Sequence, residues 1–508
     1  MRKIDRLIEP AIVVLALALR VAYLGIKPAH FDEGVNGWFV DEMARTGFYH
    51  YDPENFHGPL HFYVLFIAQT LLGRHEWALR LPIALVSTGC VAMVLAFRAY
   101  FGTAVCRVAA ICMAVSPAFV FYGRYAIHES WFVLFLLVTV WGLLGLCHSG
   151  SRRCLWAAAA GLTGLVLTKE TYIIHGVALA SGYGVLRWWE GHSPSAPFTP
   201  ARQQWTNRDL LWTGAVCVAV LLLFYTGFLL DWSSLPGMVT TFSAWTRTGV
   251  AGNGHEKEPW YWLTLMLTYE WPALIGFAAT FGLVWPGGQR ALRWVAFSGM
   301  AGFVGYSLVA YKTPWCLIAI IWPFYFVFGS VAVWVAKRFD RWVIAVAAAL
   351  VIGVSALASL RLNFRNYANE TEPYVYVQTT TDIDRLIGPL RTLAARDPEN
   401  YQLPGYIVMG EVHPLPWLLG GFPHVHFGNL TDLPADISDG QFLLVADEYT
   451  DEVERILSGS WFREKITLRG TSGQTQMLYF RPSTFGSFFP DRQPEFSGPT
   501  APAAKEEQ

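Results

Sequence analysis

The chain has 508 residues, of which 54% are hydrophobic and only 15% are charged, and its formal net charge is −1. Soluble domains carry about 25% charged residues, so this balance excludes an ordinary soluble protein and is typical of a polytopic membrane protein. The near-zero net charge gives no indication of nucleic-acid binding.

Apolar runs predict a bundle of membrane-spanning helices. In chain order the runs lie at 10–26, 59–73, 81–98, 107–122, 129–147, 155–168, 171–188, 210–230, 261–285, 294–311, 314–336 and 342–360. The first run follows Arg2, Lys3 and Arg6 and lacks a small-residue cleavage site, so we predict an uncleaved first helix. All cysteines fall in or beside apolar segments without a CxxC pair, which predicts buried free thiols.

Lysine and arginine cluster beside alternate ends of these runs. The positive-inside rule then predicts a multi-pass cell-membrane protein with a cytoplasmic N-terminus and an extracytoplasmic C-terminal domain. The run at 59–73 is short against the roughly 20 residues that a span needs, so we predict that it is re-entrant or partly inserted and that about eleven runs span fully. The alternative is one further span that violates the charge rule locally. With eleven spans, the polar segments meet at one outer face; they are the loop 27–58, the corner 122–129, Lys169–Glu170, the second large loop 231–260 and Tyr311–Lys312.

The character of the chain changes after residue 361. Residues 1–361 predict a transmembrane domain, and residues 362–482 predict a small soluble α/β domain. Short apolar runs predict strands at 374–378, 405–409, 442–446, 465–468 and 477–480, and other patterns predict helices at 382–395 and 450–457. Residues 483–508 are rich in Pro, Ser, Gly and Glu, which predicts a disordered tail.

Asp32 and Glu33 lie in the first outer loop, just beyond the first apolar run. Carboxylates beside a membrane are costly to desolvate and are usually retained for pairing, metal binding or proton transfer. Asp32 therefore suits a catalytic base that removes a hydroxyl proton, with Glu33 supporting it. One alternative is a helix N-cap, where Asp is favoured. Another, which no spacing requires, is a divalent cation held by Asp32, Glu33, His128 and Glu129.

Histidines and an arginine occupy two further polar segments. His57 and His61 flank the start of the run at 59–73, while Arg124, His128 and Glu129 lie between two apolar runs. Imidazoles can donate to phosphate oxygens, and a guanidinium can clamp a phosphate with two hydrogen bonds. The alternative is that these side chains only hold interfacial positions.

Three more segments carry charge at the predicted outer face. Lys169 and Glu170 sit between two apolar runs with almost no loop, a setting that favours a site for an anionic ligand over an exposed ion pair. Around His255 and Lys257, the alternatives are a mobile loop that closes over a lipid-linked substrate and an interfacial aromatic belt. Lys312 offers a cation for a phosphate where the next helix begins.

The ordered set of motifs resembles the GT-C superfamily of integral-membrane glycosyltransferases over about residues 30–480. The shared motifs are Phe-Asp-Glu33, His57-Gly-Pro-Leu, Leu79-Arg-Leu-Pro82, Ser116-Pro with Tyr122-Gly-Arg-Tyr, and Leu167-Thr-Lys-Glu170. Further motifs are similar to the predicted membrane-bound mannosyltransferases, whose archaeal members are named flippase-associated proteins of N-glycosylation. These are Lys312-Thr-Pro-Trp, Tyr374-Val-Tyr-Val-Gln-Thr-Thr and His413-Pro-Leu-Pro-Trp.

The resemblance implies a mainly α, polytopic fold, with a GT-C-like transmembrane bundle of about 11–13 helices and a small C-terminal α/β domain. It implies that Asp32 is the base of an inverting transfer from a polyprenyl-phosphate-linked sugar, mannose being one candidate. It also implies phosphate binding by basic residues, here Arg124, Lys169 and Lys312. Oligosaccharyltransferase-like members add a second acidic motif and a metal. The corner here reads His128-Glu-Ser, so the metal-free protein O-mannosyltransferase type is the nearer model and no cofactor is predicted.

We therefore predict a membrane glycosyltransferase that transfers a sugar to a glycan, lipid or protein acceptor outside the cytoplasm. The alternative is a non-catalytic accessory protein that helps to flip or deliver lipid-linked sugars, which would need phosphate binding but no base. A solute transporter lacks support, because the sequence shows no internal repeat or pair of discontinuous helices.

Overall fold

The computed structural model describes residues 2–192, 201–250, 254–281, 289–432, 437–470 and 474–498. The chain forms two compact units, each discontinuous in sequence. The membrane unit comprises Met1–Leu24, Glu42–Tyr367 and Glu372–Tyr374, and the C-terminal unit comprises Gly25–Asp41, Ala368–Thr371 and Val375–Gln508. The predicted boundary after residue 361 differs from this division, because Gly25–Asp41 groups with the C-terminal residues.

Helices make up most of the chain before residue 365. Their bounds are α1 Arg2–Val21, α2 Phe31–Thr46, α3 Leu60–Leu72, α4 Glu76–Ala96, α5 Arg98–Phe101, α6 Thr103–Val115, α7 Pro117–Tyr122, α8 Glu129–Ser149, α9 Arg152–Val166, α10 Tyr172–Gly191, α11 Asn207–Tyr225, α12 Gly237–Val250, α13 Tyr261–Tyr269, α14 Trp271–Phe281, α15 Arg290–Leu308, α16 Leu317–Ala336 and α17 Arg341–Phe364. Each predicted apolar run contributes to at least one helix. The predicted outer loop 231–260 contains α12.

Five helical stretches in the described residues are long and apolar enough to cross a membrane. They are Glu76–Phe101, Glu129–Ser149, Asn207–Tyr225, Pro314–Ala336 and Arg341–Phe364. The predicted multi-pass membrane protein is thereby confirmed. At about 1.5 Å per residue, α3 is about 20 Å long, short of the roughly 30 Å hydrocarbon core. That length agrees with the partial insertion predicted for residues 59–73.

Burial distinguishes a central helix from peripheral ones within the membrane unit. Within Pro314–Ala336, 72% of the most apolar 18-residue stretch is buried. Helix α16, which forms most of this segment, packs against α6, α14 and α15. Only 11% of the corresponding stretch is buried in α11 and in α17. Apolar faces left uncovered in this way are expected of helices that contact lipid.

Two predicted runs are interrupted by polar residues. The run at 107–122 divides at Ser116, whose hydroxyl accepts a hydrogen bond from the Phe119 N–H at 3.2 Å, and Pro117 then begins α7. The run at 261–285 divides at Glu270 and forms two helices, α13 and α14, rather than one. Its residues 282–285 lie outside the described residues.

The C-terminal unit contains a mixed six-stranded sheet in the order β2-β1-β3-β5-β4-β6. Strand β1 pairs in parallel with β2 and β3, and the other pairs are antiparallel. Beyond α2, its elements are α18 Asp384–Arg396, β1 Gly405–Val408, α19 Leu415–Leu418, β2 Val425–Gly428, β3 Phe442–Ala446, α20 Thr450–Ile456, β4 Ser460–Arg469, β5 Gln474–Phe480, α21 Pro482–Phe485 and β6 Phe496–Ser497.

Most of the predicted α/β elements are confirmed, namely β1, β3, β4, β5, α18 and α20. The predicted strand at 374–378 is wrong, because side chains rather than a neighbouring strand occupy its carbonyls: Tyr122 donates to the Tyr374 oxygen and His30 donates to the Tyr376 oxygen. Residues 483–498, predicted as disordered, include the end of α21 and strand β6; residues 499–508 lie outside the described part. Among the cysteines, four are buried and free as predicted, whereas Cys147 is exposed.

Candidate active site

The first turn of α2 is capped by residues on either side of Asp32. The backbone N–H of His30 donates to Oε2 of Glu33 at 2.9 Å, and Nδ1 of His30 accepts from the backbone N–H of Asp32 at 3.1 Å. The bond from His30 to Glu33 is one of the two bonds of a capping box. The His30 ring makes the second cap to the N–H of Asp32 rather than to that of Glu33, in a place usually held by serine, threonine, aspartate or asparagine. The cap predicted for Asp32 is therefore supplied by His30 and Glu33. The side chain of Asp32 is 37% exposed, and its Oδ2 lies 3.9 Å from His30 Nδ1.

Helix α2 packs closely on the loop that follows β1, within the C-terminal unit. A Cβ added to Gly34 would lie 2.3 Å from Cα of Pro414, and one added to Gly37 would lie 2.5 Å from Cδ1 of Trp417. Any side chain larger than hydrogen would therefore push the helix away. Loops at the carboxyl ends of parallel strands are common functional positions, and β1 is such a strand.

An aromatic and basic group borders the same turn. The rings of Phe31 and His413 meet edge to face with centroids 5.5 Å apart, and the guanidinium of Arg469 lies 5.0 Å from the centre of the Phe31 ring. Arg469 also donates to the carbonyls of Glu411 and His413. Burial lowers the pKa of His413, so its imidazole is neutral at physiological pH.

In the membrane unit, three predicted histidines form a cluster in which the rings are tilted to one another by 46° and 45°. The ring centroid of His128 lies 4.5 Å from that of His57 and 4.2 Å from that of His61. His61 is held by the carbonyl oxygen of Ala126, 3.1 Å from Nε2. The Nδ1 atom of His57 lies 3.0 Å from Oε2 of Glu170. The two ends of the segment 57–61 and the corner 122–129 are thus brought together as the charge argument predicts.

Lys169 and Glu129 form a buried ion pair beside this histidine cluster. The Lys169 ammonium donates to Oε1 of Glu129, and their side chains are 8% and 5% exposed. The Sγ atom of Cys316 lies 3.9 Å from the same ammonium. The exposed ion pair given as the alternative for Lys169 is therefore wrong, because the pair is buried and the partner is Glu129 rather than Glu170. Because the pair is buried, the Lys169 ammonium and the Glu129 carboxylate are both held in fixed positions.

A second basic group surrounds Lys312. Its ammonium donates to the carbonyl of Lys257 at 3.0 Å and to that of Val309. The His255 and Tyr311 rings lie 5.1 Å apart, and Glu256 and Tyr311 form an isolated β-bridge. Burial lowers the pKa of Lys312. The segments 254–258 and 309–312, far apart in sequence, therefore meet as predicted.

Arg124 has a different environment. Its guanidinium is buried and donates to the carbonyls at the end of α1, those of Leu19, Ala22 and Tyr23, at 3.0, 2.6 and 2.9 Å. These carbonyls have no partner inside the helix, so Arg124 acts as their cap. We therefore leave Arg124 out of the phosphate-binding residues.

Sequence reasoning missed the buried carboxylate of Glu270. It accepts hydrogen bonds from the Ala118 N–H at 2.8 Å and from the hydroxyls of Ser116 and Tyr325 at 2.9 and 2.8 Å. An acid inside an apolar run was the available signal. In the part of the chain that the structure describes, no group of three His, Cys, Asp or Glu residues is arranged to hold a metal ion.

A helical membrane bundle followed by a small C-terminal sheet domain is the architecture of the GT-C glycosyltransferases, and the predicted fold class and resemblance are confirmed. The fold matches ArnT from Cupriavidus metallidurans, crystallised with undecaprenyl phosphate, with a TM-score of 0.61 and 17% identity over 92% of this chain and 97% of that one. It matches an Archaeoglobus fulgidus oligosaccharyltransferase tethered to an acceptor peptide with a TM-score of 0.51 and 10% identity over 90% and 72% of the two chains.

Sequence comparison supports the same class. Residues 56–194 match the model of the dolichyl-phosphate-mannose-protein mannosyltransferase family. YkcB of Bacillus subtilis strain 168, a provisionally assigned mannosyltransferase, is 29% identical over 164 residues, or 30% of this chain. The match spans only 23% of the length of that relative. The matched segment 56–194 contains the histidine cluster and the Lys169–Glu129 pair.

Proposed function

We propose that this protein is a membrane glycosyltransferase that transfers a sugar from a polyprenyl-phosphate carrier to a hydroxyl acceptor outside the cytoplasm. The main observation in support of this proposal is how the first turn of α2 is capped. His30 and Glu33 supply its cap, while the side chain of Asp32 is 37% exposed. An acid held at a helix start without serving as its cap is available as a base.

In the proposed reaction, Asp32 removes the proton of the acceptor hydroxyl as that oxygen bonds to C1 of the sugar. The bond between C1 and the phosphate oxygen breaks, the phosphate keeps the electron pair, and the configuration at C1 inverts. The cations that neutralise the leaving phosphate are Lys169 and Lys312, aided by the imidazoles of His57, His61 and His128. Glu129 and Glu170 orient Lys169 and His57, and His255 and Lys257 support Lys312. Glu33 supports the turn that carries Asp32.

The relatives support the choice of donor. Undecaprenyl phosphate is bound in the ArnT crystal, and the matching family model describes enzymes named for dolichyl-phosphate-mannose. We infer a polyprenyl-phosphate donor for this chain, and mannose is the first sugar to test. The acceptor is a glycan, lipid or protein. The proposed orientation places the N-terminus in the cytoplasm and the C-terminal unit outside.

The decisive experiment compares Asp32→Asn with Asp451→Asn, a matched change on the exposed surface of α20. Purified protein in vesicles is given labelled polyprenyl-phosphate mannose, and release of polyprenyl phosphate is measured together with donor binding. We expect Asp32→Asn to lose at least about 100-fold in turnover and still bind donor, since general base catalysis contributes roughly 10²–10⁴-fold. Full turnover by Asp32→Asn would instead favour an accessory protein that only delivers lipid-linked sugars. Mass spectrometry of membrane glycolipids from cells with and without the gene then identifies the product.

A further inference from the structure

We propose that His30 is the positioning residue for Asp32, and that the C-terminal unit fixes the tautomer in which it acts. The inference rests on the proposed function, because it assigns a partner to the proposed base. Its evidence comes entirely from contacts within the C-terminal unit, which contains both residues. It also gives that unit a part in the reaction, namely to hold the turn that carries the base.

The two hydrogen bonds of the His30 ring have unambiguous directions. Nε2 lies 2.9 Å from the carbonyl oxygen of Tyr376, which can only accept, so Nε2 carries the hydrogen. Nδ1 lies 3.1 Å from the backbone nitrogen of Asp32, which can only donate, so Nδ1 presents its lone pair. The two contacts therefore define one tautomer, with the hydrogen on Nε2, and the backbone at Tyr376 sets it.

This tautomer matters for the neighbouring carboxylate. Oδ2 of Asp32 lies 3.9 Å from Nδ1 of His30. The opposite tautomer, or a protonated ring, would turn an N–H toward both the Asp32 amide and its carboxylate. It would break the capping bond and give the carboxylate a donor in competition with the acceptor hydroxyl. The observed tautomer holds the turn through the amide of Asp32 and offers no proton to its carboxylate.

Two other contacts hold the same segment. Nε2 of Gln378 donates to the carbonyl of Pro28 at 3.1 Å, two residues before His30. Gly34 and Gly37 let the following turns of α2 approach Pro414 and Trp417. The His30 ring is buried, so its orientation is set by the C-terminal unit and not by solvent. Together these contacts leave the turn of Asp32 little freedom, which is what a general base needs to meet its proton donor.

The test uses two amide replacements that imitate different ring nitrogens. The Asn side chain reaches the position of Nδ1 and can accept from the Asp32 amide, whereas the Gln side chain reaches the position of Nε2 and can bond only to the Tyr376 carbonyl. We compare His30→Asn, His30→Gln and His30→Ala for turnover, donor KM and thermal unfolding in detergent, with Asp32→Asn alongside. Turnover is expressed per donor-binding site, so that only folded protein is counted.

We expect His30→Ala and His30→Gln to lose about 10- to 100-fold in kcat with donor KM unchanged, since small misplacements of a reacting group have effects of this size. His30→Asn should retain a kcat within about threefold of the parent protein. Equal kcat for Asn and Gln, or a better Gln variant, overturns the inference. So does a loss that appears only in KM. These outcomes are separate from the proposed function, which fails only if Asp32→Asn keeps its turnover.

Discussion

Nδ1 of His57 lies 3.0 Å from Oε2 of Glu170, across 113 positions of the chain. The Glu170 side chain is 3% exposed and that of His57 is 24% exposed. The buried carboxylate of Glu170 thus fixes the ring of the partly exposed His57. Nε2 of His57 lies on the side of the ring opposite the bonded Nδ1. Such an arrangement fixes the orientation of the ring, in the way that second partners orient metal-bound histidines.

Replacing Glu170 by Gln should therefore weaken donor binding rather than turnover. We expect donor KM to rise about tenfold, because a hydrogen bond to a charged group contributes about 1.5–3 kcal/mol. The measurement is a donor saturation curve. Glu399→Gln, at an exposed position of the C-terminal unit, is the control. An unchanged KM would show that His57 does not contact the donor.

The Lys169–Glu129 pair allows stability and function to be separated. Lys169→Met should destabilise the protein by about 3–5 kcal/mol, because it leaves a buried carboxylate without its cation. The double change Lys169→Met with Glu129→Gln should recover most of this stability, yet it should not recover donor binding if Lys169 neutralises the phosphate. Thermal unfolding in detergent and donor titration measure the two effects. Recovery of both would make the pair purely structural.

Because α2 lies so close to the residues that follow β1, one added methyl group on α2 should lower the stability of the protein. Gly37→Ala would bring a Cβ to 2.5 Å from Trp417, so we expect a loss of about 1–3 kcal/mol in stability and a lower kcat. The matched change Gly388→Ala, in α18, meets open space and should be neutral or stabilising by up to about 1 kcal/mol. Similar results for both glycines would contradict the packing argument.

Glu270 should matter for stability. Glu270→Ala leaves the donors of Ser116, Ala118 and Tyr325 without their acceptor, and each buried unsatisfied group costs about 1–3 kcal/mol. We expect the variant to unfold at a clearly lower temperature or to fail to accumulate in membranes. Glu270→Gln keeps one acceptor oxygen and should have an intermediate effect. Wild-type stability of the alanine variant would mean that water replaces the carboxylate.

The protein should not need a divalent cation. The acid of the 122–129 corner, Glu129, is bonded to the ammonium of Lys169, and Glu33 accepts from the His30 backbone. Two of the three carboxylates proposed as alternative ligands thus have other partners, and Asp32 is the third. We expect turnover to be unchanged by EDTA, measured before and after dialysis and with Mn²⁺ or Mg²⁺ added back. A loss that is restored by one of these ions would revive the metal alternative.

Local patterns were sufficient for most of the apolar helices and for strands such as β1 and β3, which are short apolar runs bounded by polar residues. They did not predict α12, which lies in a segment assigned to an outer loop. They failed at Tyr374–Gln378, where the alternation of a strand is present but the carbonyls are taken by Tyr122 and His30. They also gave no indication that Gly25–Asp41 packs with the C-terminal unit. Nor could they distinguish an arginine that binds phosphate from Arg124, which caps a helix: both purposes require a buried guanidinium beside a helix end.

The segment that carries Asp32 is synthesised long before the residues that hold it in place. Its partner Gln378 lies 350 positions downstream of Pro28. At about 5–20 residues per second, synthesis of the intervening chain takes on the order of tens of seconds. Throughout that interval the membrane helices can insert while the acidic turn still lacks the backbone that fixes His30. The turn that carries Asp32 can therefore reach its final contacts only after the chain as far as Gln378 has been synthesised.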